Sequence, residues 1–190
     1  MHEIICVIIY CMATFRRYFN NQQMFVFTTF VTHNRREILI PNINLFKESL
    51  SYAKTKYLFG IFAIAVMKNH CHLIICTKKS AEIPQIIKSI KYYFSSHISD
   101  ECVCNDISES AKKRNEKGIW QRRYYDHIIR DEEDLHKHID YIHYNPTKHY
   151  NIAPKDWRFS SFNKFVQNGN YEKDWCNFNN EYNIDELDYE

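Results

Sequence analysis

Two short apolar segments separated by a polar turn constrain the fold of this chain more than any other feature. Residues 61–66 and 73–76 are rich in Ile and Val, which predicts two antiparallel strands joined by a tight turn. Side chains alternate faces along a strand, so His70 and His72 should project from one face and Cys71 from the other. Strand histidines are common on protein surfaces, but two imidazoles at this spacing also form half of a metal site. The remaining ligands would have to come from elsewhere in the chain.

The segments around this hairpin alternate between strand and helix patterns. In chain order, the sequence predicts a strand at 24–31, a helix at 44–56, the hairpin at about 60–76, a helix at 81–96, a mobile loop at 99–117, a strand or strand pair at 118–129 and a helix at 131–144. Pro146 should end the last helix, because proline disfavours helical geometry at the residue before it. This order predicts an α+β, ferredoxin-like fold with an antiparallel sheet and helices packed on one face.

Charge is unevenly distributed along the chain. Residues 171–190 carry seven acidic side chains against one lysine, whereas residues 1–170 carry 24 basic and 16 acidic side chains. A basic body suits a polyanionic partner, and the acidic end resembles a separate solvated tail. Aromatic residues make up 16% of the chain. They either pack in the core and on the surface, or form platforms on which the bases of a single-stranded nucleic acid stack.

The cysteines and the local composition indicate the cellular compartment and how the chain divides into segments. Seven scattered cysteines fit free thiols in a reducing cytoplasm. The apolar run at 4–13 is too short to span a bilayer and lacks the basic region of a signal peptide, so we expect no membrane association. We divide the chain into an N-terminal extension at 1–13, one domain at 14–150, a C-terminal segment at 151–176 packed on or near it, and an acidic tail at 177–190.

The last predicted helix offers candidates for the rest of a metal site. Tyr141 and Asn145 are four residues apart, so they share one helix face. The carboxamide oxygen of Asn145 is a candidate third ligand beside His70 and His72. A tyrosine one turn earlier could reach a phosphate held by the same metal. Taken alone, either residue is an ordinary helix side chain.

Several motifs together resemble the REP-associated tyrosine transposases, which belong to the single-tyrosine H-U-H transposases and endonucleases, where U is a bulky hydrophobic residue. The motifs are His70-Cys71-His72, residues 120–127 (WQRRYYDH), residues 130–134 (RDEED), residues 140–149 (DYIHYNPTKH) and residues 157–162 (WRFSSF). The resemblance covers about residues 14–176. Cys71 departs from the family at the U position, but a buried free cysteine behaves as a small hydrophobe.

The resemblance implies a function and a set of site residues. It implies that His70, His72 and Asn145 bind a divalent metal, Mg²⁺ or Mn²⁺, and that Tyr141 is the nucleophile. On ligand softness alone, the same donors would also accept zinc or nickel. The implied activity is cleavage and rejoining of single-stranded DNA through a 5′-phosphotyrosine, at repeats that form hairpins. Monomer and homodimer both stay open.

Basic and aromatic residues are candidates for DNA contact. They are Arg16, Arg17, Arg35, Arg36, Arg122 and Arg123 for phosphates, and Trp120 and Tyr124 for base stacking. We expect His127, His138 and His143 to support the fold or contact DNA rather than to bind metal.

Two other functions fit the same residues less well. The first is a nucleic-acid-binding module that has kept the transposase fold but not its activity. The second is a hydrolase in which a metal activates water, without a covalent intermediate. Nicking of single-stranded DNA with manganese separates the enzyme from the binding module, and replacing Tyr141 by Phe separates strand transfer from hydrolysis.

Overall fold

The structure is a computed structural model that describes residues 23–104 and 106–175. Its strands are β1 (Met24–Val31), β2 (Gly60–Val66), β3 (His70–Thr77) and β4 (Tyr125–Ile128), and its helices are α1 (Ile43–Lys56), α2 (Ile83–His97), α3 (Glu109–Lys113), α4 (Glu132–Tyr150) and α5 (Phe162–Gln167). The predicted extension at 1–13, the tail at 177–190, and Arg16 and Arg17 lie outside the described residues.

The four strands form one antiparallel sheet in the order β2-β3-β1-β4. The turn predicted between the two apolar segments lies between Val66 and His70, where the Met67 N–H donates to the carbonyl of His70 over 2.8 Å. In the register of β1 with β3, His72 lies opposite Thr29 and His70 lies opposite Val31. The predicted α+β class, with an antiparallel sheet in the ferredoxin-like element order, is confirmed.

Both faces of this sheet carry apolar clusters. Val26 and Phe30 of β1 pack with α1 and α2 on one face, whereas Phe25 and Phe27 pack with α4 on the other. We predicted helices on one face, and α1 and α2 lie there; α4 covers the opposite face. The physical reason is that β1 is apolar on both faces rather than alternating between apolar and polar, which is the pattern of a strand buried from both sides.

The prediction that the last helix ends at Pro146 is wrong. Helix α4 extends to Tyr150. The residue that caps it, Asn151, adopts a left-handed conformation with φ of 54°. Proline removes one intrahelical N–H donor, but the final turn is held by other bonds. Asn151 N–H donates to Thr147 O over 3.0 Å, and the Thr147 hydroxyl donates to Ile152 O over 3.0 Å. Asn145 therefore lies inside a helix and not at a frayed end.

The segment predicted as a strand or strand pair at 118–129 is only partly a strand. Trp120 forms an isolated bridge with Thr32, and β4 begins at Tyr125. Between them the chain leaves the edge of β1, and the carbonyl of Gln121 accepts a hydrogen bond from Lys91 Nζ over 3.1 Å. The described residues of the predicted loop at 99–117 include α3 and a 3-10 turn at Asp100–Cys102.

The segment after α4 packs along the free edge of β2. Val66 N–H donates to Phe159 O over 2.9 Å, and Trp157 Nε1 donates to Val66 O over 3.1 Å. Ser161 N–H donates to Ile64 O over 2.8 Å. These bonds join the C-terminal segment to the strand that leads into the histidine turn; the division of the chain into domains stays a prediction. Among the described residues, no helix combines the length and the apolar character needed to cross a membrane.

Candidate active site

The two imidazoles predicted to act together are neighbours on the face of the sheet that α4 covers. The ring centroids of His70 and His72 are 4.8 Å apart. His70 Nδ1 lies 2.6 Å from Asn69 Oδ1, and His72 Nδ1 lies 2.7 Å from Thr29 Oγ1. An amide oxygen can only accept a hydrogen bond, so His70 carries its proton on Nδ1 and has its lone pair on Nε2. Hydrogen bonds of this kind orient imidazoles that bind metals.

Helix α4 brings Asn145 and Tyr141 to the same place. Asn145 Oδ1 lies 3.1 Å from His72 Nε2, and the ring centroid of Tyr141 lies 5.2 Å from that of His72. The Asn145 amide is oriented by its own helix, because Nδ2 donates to Tyr141 O over 2.7 Å. That bond directs the carboxamide oxygen towards the imidazoles. The helical spacing of four residues thus places both the Tyr141 ring and the Asn145 amide oxygen next to His72, which agrees with the predicted shared helix face.

All four of these side chains are buried. Tyr141, His72 and Asn145 are 0% exposed, and His70 is 1% exposed. Phe27 closes one side of the group, with its ring centroid 5.7 Å from that of His72 and 6.0 Å from that of Tyr141. Burial excludes water and strengthens electrostatic interactions within the group.

The donor set fits a divalent cation. Two imidazole nitrogens and one amide oxygen suit manganese, and, on ligand type, also zinc or nickel. His72 Nε2 here donates to Asn145 Oδ1, so its Nδ1 accepts from the Thr29 hydroxyl. The hydroxyl can equally accept from Nδ1, which would free Nε2 as a ligand. The donor atoms of His70, His72 and Asn145 are thus compatible with a divalent cation.

Two further residues lie beside this group that the sequence did not single out. Lys148 Nζ lies 5.5 Å from the ring centroid of Tyr141, and the His149 ring lies 5.0 Å from the His70 ring. Lys148 follows Tyr141 by seven residues, which is two helical turns, so helical periodicity continued past Pro146 would have found it. Because the helix was predicted to end at Pro146, Lys148 was not placed on the same helix as Tyr141.

A second group of potential ligands lies where β4 meets the start of α4. Donor atoms of His127, Asp134 and His138 lie within 4.8 Å of one another. The two rings are stacked 4.7 Å apart at an angle of 12°, so their in-plane lone pairs do not converge on one point. Instead, His127 Nε2 donates to Asp134 Oδ2 over 2.8 Å, and His138 Nδ1 donates to Asp134 O over 2.7 Å. These bonds fasten β4 to the helix.

Asp134 and His138 both have shifted pKa values. Burial alone would raise the pKa of Asp134, but hydrogen bonds from His127 and from the Arg130 N–H lower it overall. Burial lowers the pKa of His138. Asp134 therefore stays charged as a bridge between the strand and the helix.

His143, the third histidine of this region, points towards the C-terminal segment. Its Nε2 lies 2.8 Å from Ser161 Oγ, and its ring packs against Phe165 at 4.7 Å. Burial lowers its pKa to about 3, so it is neutral near pH 7. His143 thus contacts residues that support the fold.

The arginines predicted to contact DNA differ in their surroundings. Arg35, Arg122 and Arg123 are exposed. Arg36 instead donates from Nη1 to Cys102 O over 2.7 Å and from Nη2 to Gly118 O over 2.6 Å. Because its guanidinium is engaged with the backbone, we do not include Arg36 in the proposed DNA interface.

The aromatic residues predicted to stack on DNA bases lie on the opposite face of the sheet from Tyr141. Trp120 packs against Phe30 and Phe94, with ring centroids 5.4 Å and 5.2 Å apart. Tyr124 is half-buried and lines a groove together with Trp120 and Arg122. The structure thus groups the predicted metal ligands with Tyr141. It places Trp120 and Tyr124 on the opposite face of the sheet.

Comparison with known proteins finds related transposases. The family described as "Transposase IS200 like" matches residues 20–145. A Haemophilus influenzae protein described as "Putative REP-associated tyrosine transposase" is 34% identical over 166 residues, which cover 86% of this chain and 93% of that protein. The Escherichia coli REP-associated tyrosine transposase is 28% identical over 166 residues, covering 87% and 92%.

A solved structure has the same fold. It is a REP-associated tyrosine transposase bound to a REP hairpin, with a TM-score of 0.67, 26% identity, and coverage of 85% of this chain and 90% of that one. The family match covers more than half of the chain, and the first relative covers most of its length. The chain therefore belongs to the IS200-like transposases, a family of enzymes, and within it to the REP-associated tyrosine transposases.

Proposed function

We propose that this transposase is a metal-dependent endonuclease and strand transferase of single-stranded DNA that acts through a 5′-phosphotyrosine. The observation that carries the proposal is the convergence of Tyr141, Asn145 and His72, in which the amide oxygen lies 3.1 Å from the imidazole and the phenol ring 5.2 Å from it. A nucleophile beside a set of oxygen and nitrogen ligands suits attack on a phosphodiester.

In the proposed reaction, Tyr141 Oη attacks the scissile phosphorus. A phenolic O–P bond forms, the bond from phosphorus to the 3′-oxygen of the upstream nucleotide breaks, and that oxygen takes up a proton. The downstream strand is then joined to the protein through its 5′-phosphate. Because this linkage conserves the energy of the broken ester, a second 3′-hydroxyl can attack it and restore a DNA strand, releasing Tyr141.

A divalent cation, held by His70, His72 and Asn145, would supply a positive charge to neutralise a non-bridging phosphate oxygen. The protein itself supplies orientation. Thr29 and Asn69 fix the two imidazoles, and the Tyr141 carbonyl fixes the Asn145 amide. Lys148 Nζ, 5.5 Å from the centre of the Tyr141 ring, favours the phenolate over the phenol.

The proposed substrate is single-stranded DNA next to a hairpin-forming repeat. A helix-borne tyrosine cannot attack in line within an intact duplex without distorting it. The solved relative that is bound to a REP hairpin supports a hairpin beside the cleavage site. The exposed side chains of Arg35, Arg122 and Arg123 are the proposed phosphate contacts among the described arginines.

The test is covalent capture on DNA labelled at its 3′ end. A single-stranded oligonucleotide from the flank of the gene for this chain is incubated with the protein and Mn²⁺, then denatured and separated by electrophoresis. The labelled downstream fragment should migrate with the protein, and a chelator should prevent this. Tyr141→Phe should abolish the adduct, whereas Tyr144→Phe on the same helix should retain it. An undiminished adduct in Tyr141→Phe would eliminate the assignment.

A second candidate function is a nucleic-acid-binding module without cleavage activity. The complete burial of Tyr141, His72 and Asn145 favours it, because a phosphate has to reach the phenol before any reaction. Binding of single-stranded DNA without any adduct or nicking, with Mn²⁺ and cognate flanking DNA, would select this alternative. Nicking that persists in Tyr141→Phe would select a hydrolase instead.

A further inference from the structure

A groove lies on the face of the sheet opposite the candidate active site. It has a volume of about 530 Å³ and runs between α2 and the segment 114–124. Its apolar floor includes Ile87 and Ile119, and aromatic rings of Tyr92, Trp120 and Tyr124 line it. A volume of this order is within the usual range for small-molecule sites, and one nucleotide fits within it.

The groove is strongly basic. Its charged lining residues are Lys88, Lys91, Arg114, Lys117, Arg122 and Glu116. The single acidic residue is already engaged, because Arg114 Nε donates to Glu116 Oε1 over 2.7 Å. Five basic side chains and one acidic side chain give the lining a net charge of +4. A groove with low-dielectric walls concentrates the field of these charges. An anion is the ligand that this charge distribution favours.

Lys91 is the most unusual of these residues. Its Nζ donates to Gln121 O over 3.1 Å and lies within 6.0 Å of the ring centroids of Phe30, Trp120 and Tyr124. In the part of the chain that the structure describes, no carboxylate forms an ion pair with it. Burial lowers the pKa of Lys91 to about 8. The Gln121 carbonyl and the aromatic rings offset part of the desolvation cost of this half-buried ammonium, and a bound anion would offset more of it.

The groove and the candidate active site meet at one edge of the sheet. Tyr124 lines the groove, whereas the next residue, Tyr125, packs against Phe27 on the side of His72 and Tyr141, with ring centroids 6.1 Å apart. Adjacent side chains of an extended segment point to opposite faces. Tyr125 is 39% exposed, so this edge offers aromatic surface on both sides.

Resting on the proposed function, we propose that the groove binds one unpaired nucleotide of the single-stranded DNA substrate, and that the strand passes over the β4 edge between the groove and the active site. Lys88, Lys91 and Arg122 contact its phosphates, and the base stacks on the exposed ring of Tyr92. Stacking tolerates any base, and the basic side chains follow the backbone. A duplex cannot enter a groove of this size with a base between aromatic rings.

The experiment measures equilibrium binding by fluorescence anisotropy. The probe is a labelled single-stranded oligonucleotide of about ten nucleotides, within the usual footprint of such sites, with chelator present so that no cleavage occurs. The test variant is Lys88→Gln with Arg122→Gln. The matched control is Lys137→Gln with Lys164→Gln, which removes two exposed positive charges elsewhere.

We expect the test variant to bind at least about tenfold more weakly than wild type, and the control to stay within about twofold. For single strands, losing two phosphate contacts should reduce the slope of log affinity against log salt by about 1.4. Tyr92→Ala removes a ring that is 63% exposed and cannot disturb the core, and it should weaken binding without changing that slope.

Equal losses in the test and control variants would overturn the proposal. So would an equal loss for a duplex probe, which would indicate a general electrostatic surface, and so would unchanged binding in Tyr92→Ala. Failure of the proposed function has a different readout, which is the absence of a covalent adduct with the wild-type protein. The binding measurements contain chelator and do not depend on adduct formation.

Discussion

Asn145 Oδ1 lies 3.1 Å from His72 Nε2, although the two residues are 73 positions apart in the chain. This contact joins the long helix to the central hairpin at the proposed metal site. The amide cannot turn away freely, because Asn145 Nδ2 is held by the Tyr141 carbonyl. One helical turn therefore positions both the proposed third ligand and the proposed nucleophile.

Asn145→Ala should weaken Mn²⁺ binding by about tenfold or more, because it removes one of the three proposed protein ligands and leaves a cavity. Mn²⁺ binding can be followed by the loss of the free-ion signal in electron paramagnetic resonance. Asn163→Ala, at an exposed position, is the control and should bind Mn²⁺ like wild type. Unchanged Mn²⁺ affinity in Asn145→Ala would remove Asn145 from the ligand set.

Two adjacent threonines of β1 offer a matched pair for testing how the imidazoles are oriented. Thr29 Oγ1 lies 2.7 Å from His72 Nδ1, whereas Thr28 is on the other face and donates to Leu73 O over 3.5 Å. Thr29→Val keeps the shape but removes the hydroxyl that supports His72. We expect about 10- to 100-fold loss in Mn²⁺ affinity, the range for such supporting contacts. Thr28→Val should lose little, and equal losses in the two variants would contradict the role of Thr29.

The sequence predicted the sheet and the hairpin because these depend on local patterns. Strand β1 begins and ends where the β-rich run does, at Met24 and Val31. The grouping of His70 with His72 followed from alternation along one strand. The approach of Tyr141 and Asn145 to that pair came from family resemblance, since no local pattern tells which helix covers which face of a sheet.

The structure departs from the sequence-based expectation at Pro146 because of local bonds and at Arg36 because of distant ones. Pro146 lies within a helix because bonds around Asn151 and Ile152 hold the final turn. Arg36 was predicted to contact DNA because it lies in a polar, basic stretch of the sequence. Its guanidinium donates to two backbone carbonyls that are 66 and 82 residues away. Bonds across such separations leave no signature in the local sequence.

The Asp134 carboxylate should contribute measurably to stability. It accepts hydrogen bonds from His127 and from the Arg130 N–H, and its side chain is only 11% exposed. Asp134→Asn should reduce the free energy of unfolding in urea by about 1–2 kcal/mol, through weaker hydrogen bonds and a lost charge near the helix N-terminus. Glu133→Gln, in an exposed pair with Lys137, should change it by less than about 0.5 kcal/mol. Similar effects of the two substitutions would show that the bridge between β4 and α4 is unimportant.

Lys148 should influence the pH dependence of adduct formation. If its ammonium favours the phenolate of Tyr141, Lys148→Met should move the midpoint of the pH–rate profile upwards by about one unit. Lys148→Arg keeps the charge and should restore much of the wild-type profile. Lys137→Met, on the exposed side of the same helix, is the control. A uniformly lower rate in Lys148→Met with an unchanged midpoint would indicate a structural role only.

Binding of single-stranded DNA to the groove should weaken as pH rises through about 8, because burial lowers the pKa of Lys91 to about that value. The charged form exists below this pKa and attracts phosphate, whereas the neutral form above it does not. The groups that face Lys91 do not mask the effect. Burial raises the pKa of Cys71 well above its usual range and also raises the pKa of Tyr124, so both stay neutral. Lys91→Arg, whose charge persists, should bind nearly equally at pH 7 and pH 9, as measured by anisotropy in the presence of chelator. A wild-type affinity that is as flat with pH as that of Lys91→Arg would show that Lys91 does not contact the DNA.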